Sequence, residues 1–416
     1  MANSFVLTRR IFRRAGPKYY SLLLYLKALT EYFLSPRGWR GGHQARMHEV
    51  ENDNKHNSHN SPKRIAIFVG FSKELTLSCK SYIESLIKAN YRVLYVSNCR
   101  LSNQAKKTIA SLAWKLIERH NMGRDIGAYR DAILWLNSQG FLESCELLIM
   151  ANDSVQFLPG NYADSLVESL KRFEQSHHVA LFSHISCMHS LHFQSFFQAL
   201  KKSVFKSREF LNFWEKYMPL SHRGHCIFNG EIMMSQSIYN KLHGIQVLYT
   251  SSDLQANLEK QYSIDTGINA HDLLRLMPSP SRTIKRKERN SILEPLAEAA
   301  WRGEPLPYQN LYLISELIEN SNPSHVGAFL FPFYLKCPFV KKDLCLAGSF
   351  SIAQAALLFR EALESSAKNS NLAIDINAHA EEYNIALYLK GTPMSHESTP
   401  GATTGFIYSD IYDGSP

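Results

Sequence analysis

The sequence predicts an α/β fold in which a mostly parallel open sheet is flanked by helices. Three observations lead to this prediction: short apolar segments alternate with helical patterns, a charged turn precedes one helix, and an acid directly follows a buried strand. Strands are predicted at 64–70, 91–97, 146–151, 179–182, 193–197 and 245–249, and helices at 75–89, 105–118, 123–136, 163–175, 210–217 and 231–244. Such alternation implies right-handed crossovers and therefore parallel neighbours.

The first segment, residues 1–47, is predicted to be basic and amphipathic. Arg9, Arg10, Arg13 and Arg14 precede an uncharged run at 19–26 that is rich in leucine and tyrosine. This run is far shorter than the roughly 18 residues that span a bilayer, and no small-residue cleavage site follows it. Two interpretations remain open: a helix that lies in a membrane interface, or a helix docked on the folded domain.

Composition divides the rest of the chain into four segments. The polar residues 48–62 predict a flexible linker, and residues 63–275 contain the predicted sheet. A mainly helical C-terminal extension is predicted for 276–364, and a partly loose tail for 365–416. The basic run at 282–289 is typical of a solvated surface, with phosphate or lipid contact as the alternative.

Overall composition narrows the class of protein. The chain has 416 residues with 45% hydrophobic and 20% charged side chains, so a sizeable core is expected. A net charge of +9 favours anionic partners, but no nucleic-acid-binding module accompanies it, and nucleic acid is not an expected partner. Seven scattered cysteines without a Cys-x-x-Cys pair favour a reducing cytoplasm. P-loop, dinucleotide-binding and serine-hydrolase motifs are absent.

The third strand ends in Asn152, Asp153 and Ser154. Enzymes of the two-lobed GT-A type, which use nucleotide sugars, place a carboxylate after a central strand to hold the divalent metal that bridges the diphosphate. The pattern therefore predicts that Asp153 binds Mg²⁺ or Mn²⁺ and that Asn152 and Ser154 line the nucleotide-sugar site. The alternative is a simple Asx turn after the strand.

The turn before the third predicted helix contains Gly123, Arg124 and Asp125. A glycine turn that opens a helix favours an anion at the helix start. Arg124 is predicted to pair with phosphate, and Asp125 to accept hydrogen bonds from the base or ribose. A plain helix capped near Asp125 explains the same residues without a ligand.

Two further groups of residues are candidates for the acceptor side of the site. Glu231 is predicted to open the helix at 231–244 and to take the proton from the acceptor hydroxyl, although it would equally complement the helix dipole. His192, Gln194 and Ser195 are predicted to bind sugar hydroxyls, with ordinary strand packing as the alternative. A zinc site from His184, Cys187, His189 and His192 is disfavoured because separated ligand pairs are missing.

Taken together, these motifs resemble the rhamnan synthesis protein F family of glycosyltransferase-like proteins. The likeness lies at 121–129, 151–155, 192–197, 213–214, 322–325 and 338–344. It covers roughly residues 63 to 350.

The resemblance implies a GT-A-like fold and a rhamnosyltransferase-like activity in polysaccharide or lipopolysaccharide synthesis. The implied partners are a nucleotide-sugar donor such as dTDP-rhamnose and a polysaccharide or lipid-linked acceptor at the inner face of the cell membrane. The alternative is a non-catalytic carbohydrate- or nucleotide-binding protein of a polysaccharide assembly complex, which a single carboxylate at 152–154 favours.

Overall fold

The computed structural model describes residues 17–50, 61–188, 190–264, 267–278, 289–346, 349–369 and 373–391. Twelve strands lie within these residues. They are β1 Met47–Val50, β2 Arg64–Gly70, β3 Arg92–Ser97, β4 Lys115–Arg119, β5 Leu147–Asn152, β6 Val155–Phe157, β7 Ala180–Phe182, β8 Ile185–Ser186, β9 His192–Phe193, β10 Phe197–Lys201, β11 Ile245–Val247 and β12 Phe339–Lys341. The arginines at 9–14, the basic run at 282–288 and His189 lie outside the described residues.

Eight of these strands form one sheet in the order β1-β4-β3-β2-β5-β10-β7-β11. The strands β2 to β5 are parallel to one another, while β1 and β10 run antiparallel to their neighbours. A mostly parallel sheet is thus confirmed. The smaller pairs β6–β12 and β8–β9 are antiparallel.

Helices cover both faces of this sheet. In chain order they are α1 Pro17–Leu34, α2 Leu77–Lys88, α3 Asn103–Leu112, α4 Arg124–Ser138, α5 Phe141–Ser144, α6 Asn161–Gln175, α7 Lys202–Phe205, α8 Arg208–Lys216, α9 Arg223–His225, α10 Met233–Ile238, α11 Ser251–Ile264, α12 Ala270–Leu276, α13 Glu294–Arg302, α14 Gln309–Glu319, α15 Pro323–Val326, α16 Leu330–Leu335, α17 Ile352–Lys368 and α18 Ile376–Gly391. Short 3₁₀ segments occupy Gln44–Arg46 and Tyr239–Lys241, and π-helical segments occupy Cys226–Ile232 and Arg289–Leu293.

Alternation along the central strands explains why both faces are covered. Successive side chains of a strand point to opposite faces. In β2, Ile65 and Ile67 belong to the core under α4, whereas Ala66 and Phe68 belong to the core under α2. All four side chains are fully buried. A central parallel strand with two buried faces therefore appears in the sequence as a continuous apolar run.

One predicted helix included residues that form a strand. The segment 105–118 was predicted to be helical, but α3 ends at Leu112 and β4 begins at Lys115. The strand was missed because Lys115, Glu118 and Arg119 interrupt its apolar character. Arg119 is nevertheless buried, with 5% of its surface exposed, because it pairs with a buried acid.

The amino-terminal segment is attached to the sheet by a buried ion-pair cluster around Asp131, on α4. Arg46 and Arg119 contact the two carboxylate oxygens at 2.7 and 2.9 Å, and Arg130 lies 3.3 Å away. The next strand, β1, pairs with β4 at the sheet edge. The predicted linker at 48–62 therefore begins with three residues of a strand, while 51–60 lie outside the described residues.

We expect Asp131→Asn to lower the free energy of unfolding by about 3 kcal/mol, because removing one partner of a buried ion pair leaves uncompensated charge. Burial raises the pKa of Asp131, but the three arginines outweigh burial and hold it below the usual value. A depressed pKa stabilises the fold fully above about pH 4, and this contribution is lost as the pH falls through the folded-state pKa. Urea unfolding at pH 7 and in acid would measure both effects. If acid lowered the free energy of unfolding of the wild type and of Asp131→Asn by the same amount, the prediction would be contradicted.

The C-terminal extension packs into the same core as the sheet. Leu317 and Phe359, on two of its helices, join the cluster that contains Phe68. Its strand β12 pairs with β6, directly after Asp153 and Ser154. Within the predicted loose tail, α18 is folded and buries Tyr383, whereas 392–416 lie outside the described residues. The division into segments itself stays a prediction.

Candidate active site

Three loops of the site follow the carboxyl ends of parallel strands. Phe71 follows β2, the turn at Gly123 comes shortly after β4, and Asp153 follows β5. Carboxyl ends of parallel strands meet at one edge of a sheet, where open α/β folds bind ligands. The predicted loops are therefore neighbours in the structure.

The turn after β5 contains the Asx turn that was the alternative to a metal site. Oδ1 of Asn152 accepts the N–H of Ser154 at 3.0 Å, which is the Asx turn. The Asn152 side chain is buried, so its role is to shape the loop. Asp153 is half-buried instead, and its Oδ2 accepts the N–H of Phe71 at 2.9 Å. This bond joins the loops after β2 and β5 and uses one of the two carboxylate oxygens.

The turn at Gly123 has an unusual backbone. Gly123 has φ of 75°, and a Cβ atom there would lie 2.6 Å from Pro219, so only glycine fits. The next residue, Arg124, also has a positive φ of 53° and is exposed to solvent. A non-glycine residue in this region carries strain that often accompanies functional sites. The turn thus directs Arg124 outward as α4 begins.

Asp125 lies close to Asp153. Burial raises the pKa of Asp125, and the negative charge of Asp153 raises it further, while Arg124, Lys390 and Lys341 lower it. The charges of the two acids, on the loops after β4 and β5, therefore act on each other. Their repulsion would be relieved by a bound cation.

The backbone of Ser195 joins the loop after β5 to the segment that carries Glu231. Its N–H donates to Oε1 of Glu231 at 2.8 Å, and its carbonyl accepts from the hydroxyl of Tyr129 at 2.9 Å. The amide of Asn152 approaches the same carbonyl at 3.5 Å. The backbone of this one residue thus connects β5, α4 and the segment that carries Glu231. No sequence signal identified Tyr129 as a member of this network.

Glu231 does not open a helix as expected. It lies near the end of the π-helical segment Cys226–Ile232, and α10 follows directly. Gly230 before it packs against Ile126, since a Cβ atom there would lie 2.9 Å from that side chain. A π-helical turn is often found at functional sites. The helix-dipole explanation for Glu231 therefore does not apply, because the residue is not at a helix start.

The residues predicted to bind the acceptor differ in their surroundings. His192 and Gln194 are each 4% exposed, and Nε2 atoms of the two side chains lie 3.4 Å apart. Ser195 is partly exposed and contributes its backbone as described above. Nearby, burial lowers the pKa of His184 to about 3, so this imidazole is neutral. No group of three or more possible metal ligands occurs in the described part of the chain.

Three charged residues that were not predicted as site residues form an ion-pair cluster next to Lys341. They are Arg223, His325 and Asp343. His325 and Arg223 contact the carboxylate of Asp343 at 3.3 and 3.5 Å. Burial raises the pKa of Asp343, but His325, Lys341 and Arg223 outweigh burial and hold it well below the usual range. Motifs at 322–325 and 338–344 had indicated a family resemblance without assigning these residues a role.

Asp153 is the predicted metal ligand, and Asp125, whose charge interacts with it, is a second carboxylate that would hold the ion. Mg²⁺ in nucleotide sites is typically bound by one or two carboxylates together with phosphate oxygens, rather than by a cage of protein ligands. Two neighbouring carboxylates whose charges repel each other fit that chemistry. Metal binding stays a prediction.

A cavity lies at the opposite, amino-terminal edge of the sheet. Its volume is about 800 Å³, and it is lined by Arg64, Arg92, Glu146, Lys201 and Lys202, among others. Most of these charges already have partners: Arg64 pairs with Glu174, and Lys202 with Glu146. We therefore place the site at the carboxyl edge, where the carboxylates meet.

Comparisons with known proteins agree with the motif analysis. Residues 93–288 match the family model described as Rhamnan synthesis protein F, which confirms the resemblance over this range. The match includes the loops of Gly123, Asp153 and Glu231. This family indicates a role in polysaccharide biosynthesis.

One relative is described as the uncharacterized protein y4gN of Sinorhizobium fredii (strain NBRC 101917 / NGR234). It is 28% identical to this chain over 174 residues, which cover 41% of this chain and 44% of the relative. The match therefore spans less than half of that relative's length. No solved structure matches this chain.

Proposed function

We propose that this protein is a glycosyltransferase that moves a sugar from a nucleotide-sugar donor to a growing polysaccharide or lipid-linked acceptor. The observation that supports this most directly is the backbone of Ser195, whose N–H contacts Glu231 and whose carbonyl contacts Asn152, the residue before Asp153. A GT-A-like arrangement, a dTDP-rhamnose donor and a place at the inner face of the membrane are parts of the same proposal.

Glu231 is the proposed general base. Its Oε1 is held by the N–H of Ser195, which fixes the carboxylate and leaves Oε2 for the acceptor hydroxyl. As the new bond to the anomeric carbon forms, Oε2 takes the hydroxyl proton. The partly exposed Ser195 would face the acceptor, and the buried side chains of His192 and Gln194 would support it from behind.

The donor would lie along the turn at Gly123, with its phosphates near Arg124. A bound divalent metal would supply positive charge to the diphosphate as it leaves. Asn152 and Ser154 maintain the turn that presents Asp153 to this region.

The test is a screen of nucleotide sugars by thermal shift, with and without Mg²⁺ or Mn²⁺, followed by transfer assays on any donor that binds. A ligand that binds the folded state raises the melting temperature. We expect a dTDP-linked sugar to give the largest shift and to be turned over. Donor binding without turnover on any saccharide or lipid-linked acceptor would favour the non-catalytic binding protein instead.

Contact with a membrane surface is a further part of the proposal. One face of α1 packs through Ala28 and Tyr32 against Met122 and Leu220. The other face forms an apolar N-terminal patch of Leu22, Leu23, Leu26, Phe33, Leu34 and Trp39, which are between 43% and 78% exposed. Lys27, Arg37 and Arg40 lie in the same segment and suit anionic headgroups. None of the helices in the described ranges is long and apolar enough to cross a bilayer.

We expect the double substitution Leu22→Ser and Leu26→Ser to weaken binding to phosphatidylglycerol vesicles by about tenfold, because it removes apolar surface that would be buried in the interface. Vesicle flotation would measure this. Leu357→Ser with Ile385→Ser, two exposed apolar residues elsewhere, is the matched control. Unchanged flotation of the Leu22 and Leu26 variant would show that the contact lies elsewhere.

A further inference from the structure

Strand β12 brings a lysine to the carboxyl edge of the sheet from a distant part of the chain. In the pairing of β12 with β6, Lys341 stands opposite Val155, two residues after Asp153. Its Nζ lies 4.6 Å from the centroid of the Phe196 ring. Phe196 directly follows Ser195, whose backbone holds Glu231. The Lys341 ammonium is therefore near both the loop that carries Asp153 and the residue that holds Glu231.

The ammonium of Lys341 makes no hydrogen bond or ion pair with any residue in the described ranges. Asp343, on the same segment, is instead paired with His325 and Arg223. The charge of Lys341 still acts on Asp125 and Asp343, lowering the pKa of each. A half-buried ammonium with three donors and no carboxylate partner retains the capacity to bind an anion.

We propose that Lys341 binds the diphosphate of the donor and stabilises the charge that develops on it during transfer. The inference rests on the proposed function and assigns a residue outside the matched family region. The ring of Phe196 holds the ammonium in place through a cation–π contact. Arg124 and Lys390, which also act on Asp125, add positive charge to the same region.

The proposed role follows from the bonds that change. The bond between the anomeric carbon and the diphosphate oxygen breaks, and its electron pair stays on that oxygen. The acceptor oxygen forms the new bond to the anomeric carbon, and its proton passes to Glu231. Negative charge therefore grows on the diphosphate, and a cation already fixed beside it stabilises the transition state more than the ground state.

The test is binding of inorganic pyrophosphate and of dTDP to the full chain, measured by isothermal titration calorimetry in EDTA and again in Mn²⁺. We expect Lys341→Gln to weaken binding of both ligands about tenfold in either condition, as expected for loss of a charged hydrogen bond. Lys341→Arg keeps the charge and should restore part of the affinity. Lys107→Gln, on the exposed surface of α3, is the matched control and should bind as the wild type does.

The outcomes separate this inference from the proposed function. Wild-type affinity in Lys341→Gln, or no pyrophosphate and dTDP binding by the wild type in either buffer, would overturn the role of Lys341 even if sugar transfer is detected. Binding that depends on Lys341 supports the inference even if no acceptor is ever glycosylated. In that case the anion site stands and only the transferase activity is rejected.

Discussion

Glu231→Gln is expected to lower the rate of sugar transfer by about 10³-fold while leaving donor affinity nearly unchanged. Glutamine retains an oxygen that accepts the N–H of Ser195, so the local structure is preserved. It cannot take a proton from the acceptor hydroxyl, and general-base catalysis typically contributes 10²–10⁴-fold. Steady-state kinetics with saturating donor, together with donor binding by calorimetry, would separate the two effects.

The control is Glu215→Gln, an exposed acid on α8 outside the network of Ser195. It should have wild-type kinetics. A Glu231→Gln protein that transfers sugar at the wild-type rate would remove Glu231 from the mechanism, and another carboxylate would have to be the base.

Asp153→Asn is expected to reduce transfer by about 10²–10³-fold and to weaken its dependence on divalent metal. The substitution keeps an oxygen that accepts the N–H of Phe71, so the contact between the loops after β2 and β5 survives. It removes one of the two charges that would hold a cation, and losing an electrostatic contact to a developing charge commonly costs this much. Activity titrated against Mg²⁺ and Mn²⁺ would show the loss.

Asp164→Asn serves as the comparison, because Asp164 pairs with Lys88 on the exposed surface. Its metal dependence and rate should match the wild type. Should Asp153→Asn keep the full rate and the wild-type metal titration, neither the metal nor the diphosphate is held at that position.

The sheet was predictable where its strands are buried on both faces. In β2 and β5 the apolar run is continuous, because neither face meets water. Strand β4 was not predictable by the same rule, since the buried Arg119 is neutralised by the carboxylate of Asp131, a partner on the next helix. A local pattern cannot show that a charged residue will be neutralised by a distant one.

The candidate site was likewise predictable only where its residues belong to local sequence motifs. Asp125 follows the Gly123 turn and Asp153 follows strand β5, and in the structure the charge of Asp153 acts on Asp125. Lys341 was not predictable as a neighbour, because its position depends on the pairing of β12 with β6. The role of the Ser195 backbone was equally hidden, since a main-chain N–H and carbonyl carry no sequence signal.

The cluster around Asp131 connects the segment proposed to contact a membrane with the candidate site. Arg46 comes from the segment that includes α1, whereas Asp131 belongs to the helix that begins at the Gly123 turn. In the proposed membrane contact, movement of the apolar N-terminal patch would therefore act through this ion pair on the helix that begins at the Gly123 turn. Removing the first 46 residues as though they were a detachable anchor would leave a cut surface beside that loop and a buried acid short of one counter-charge.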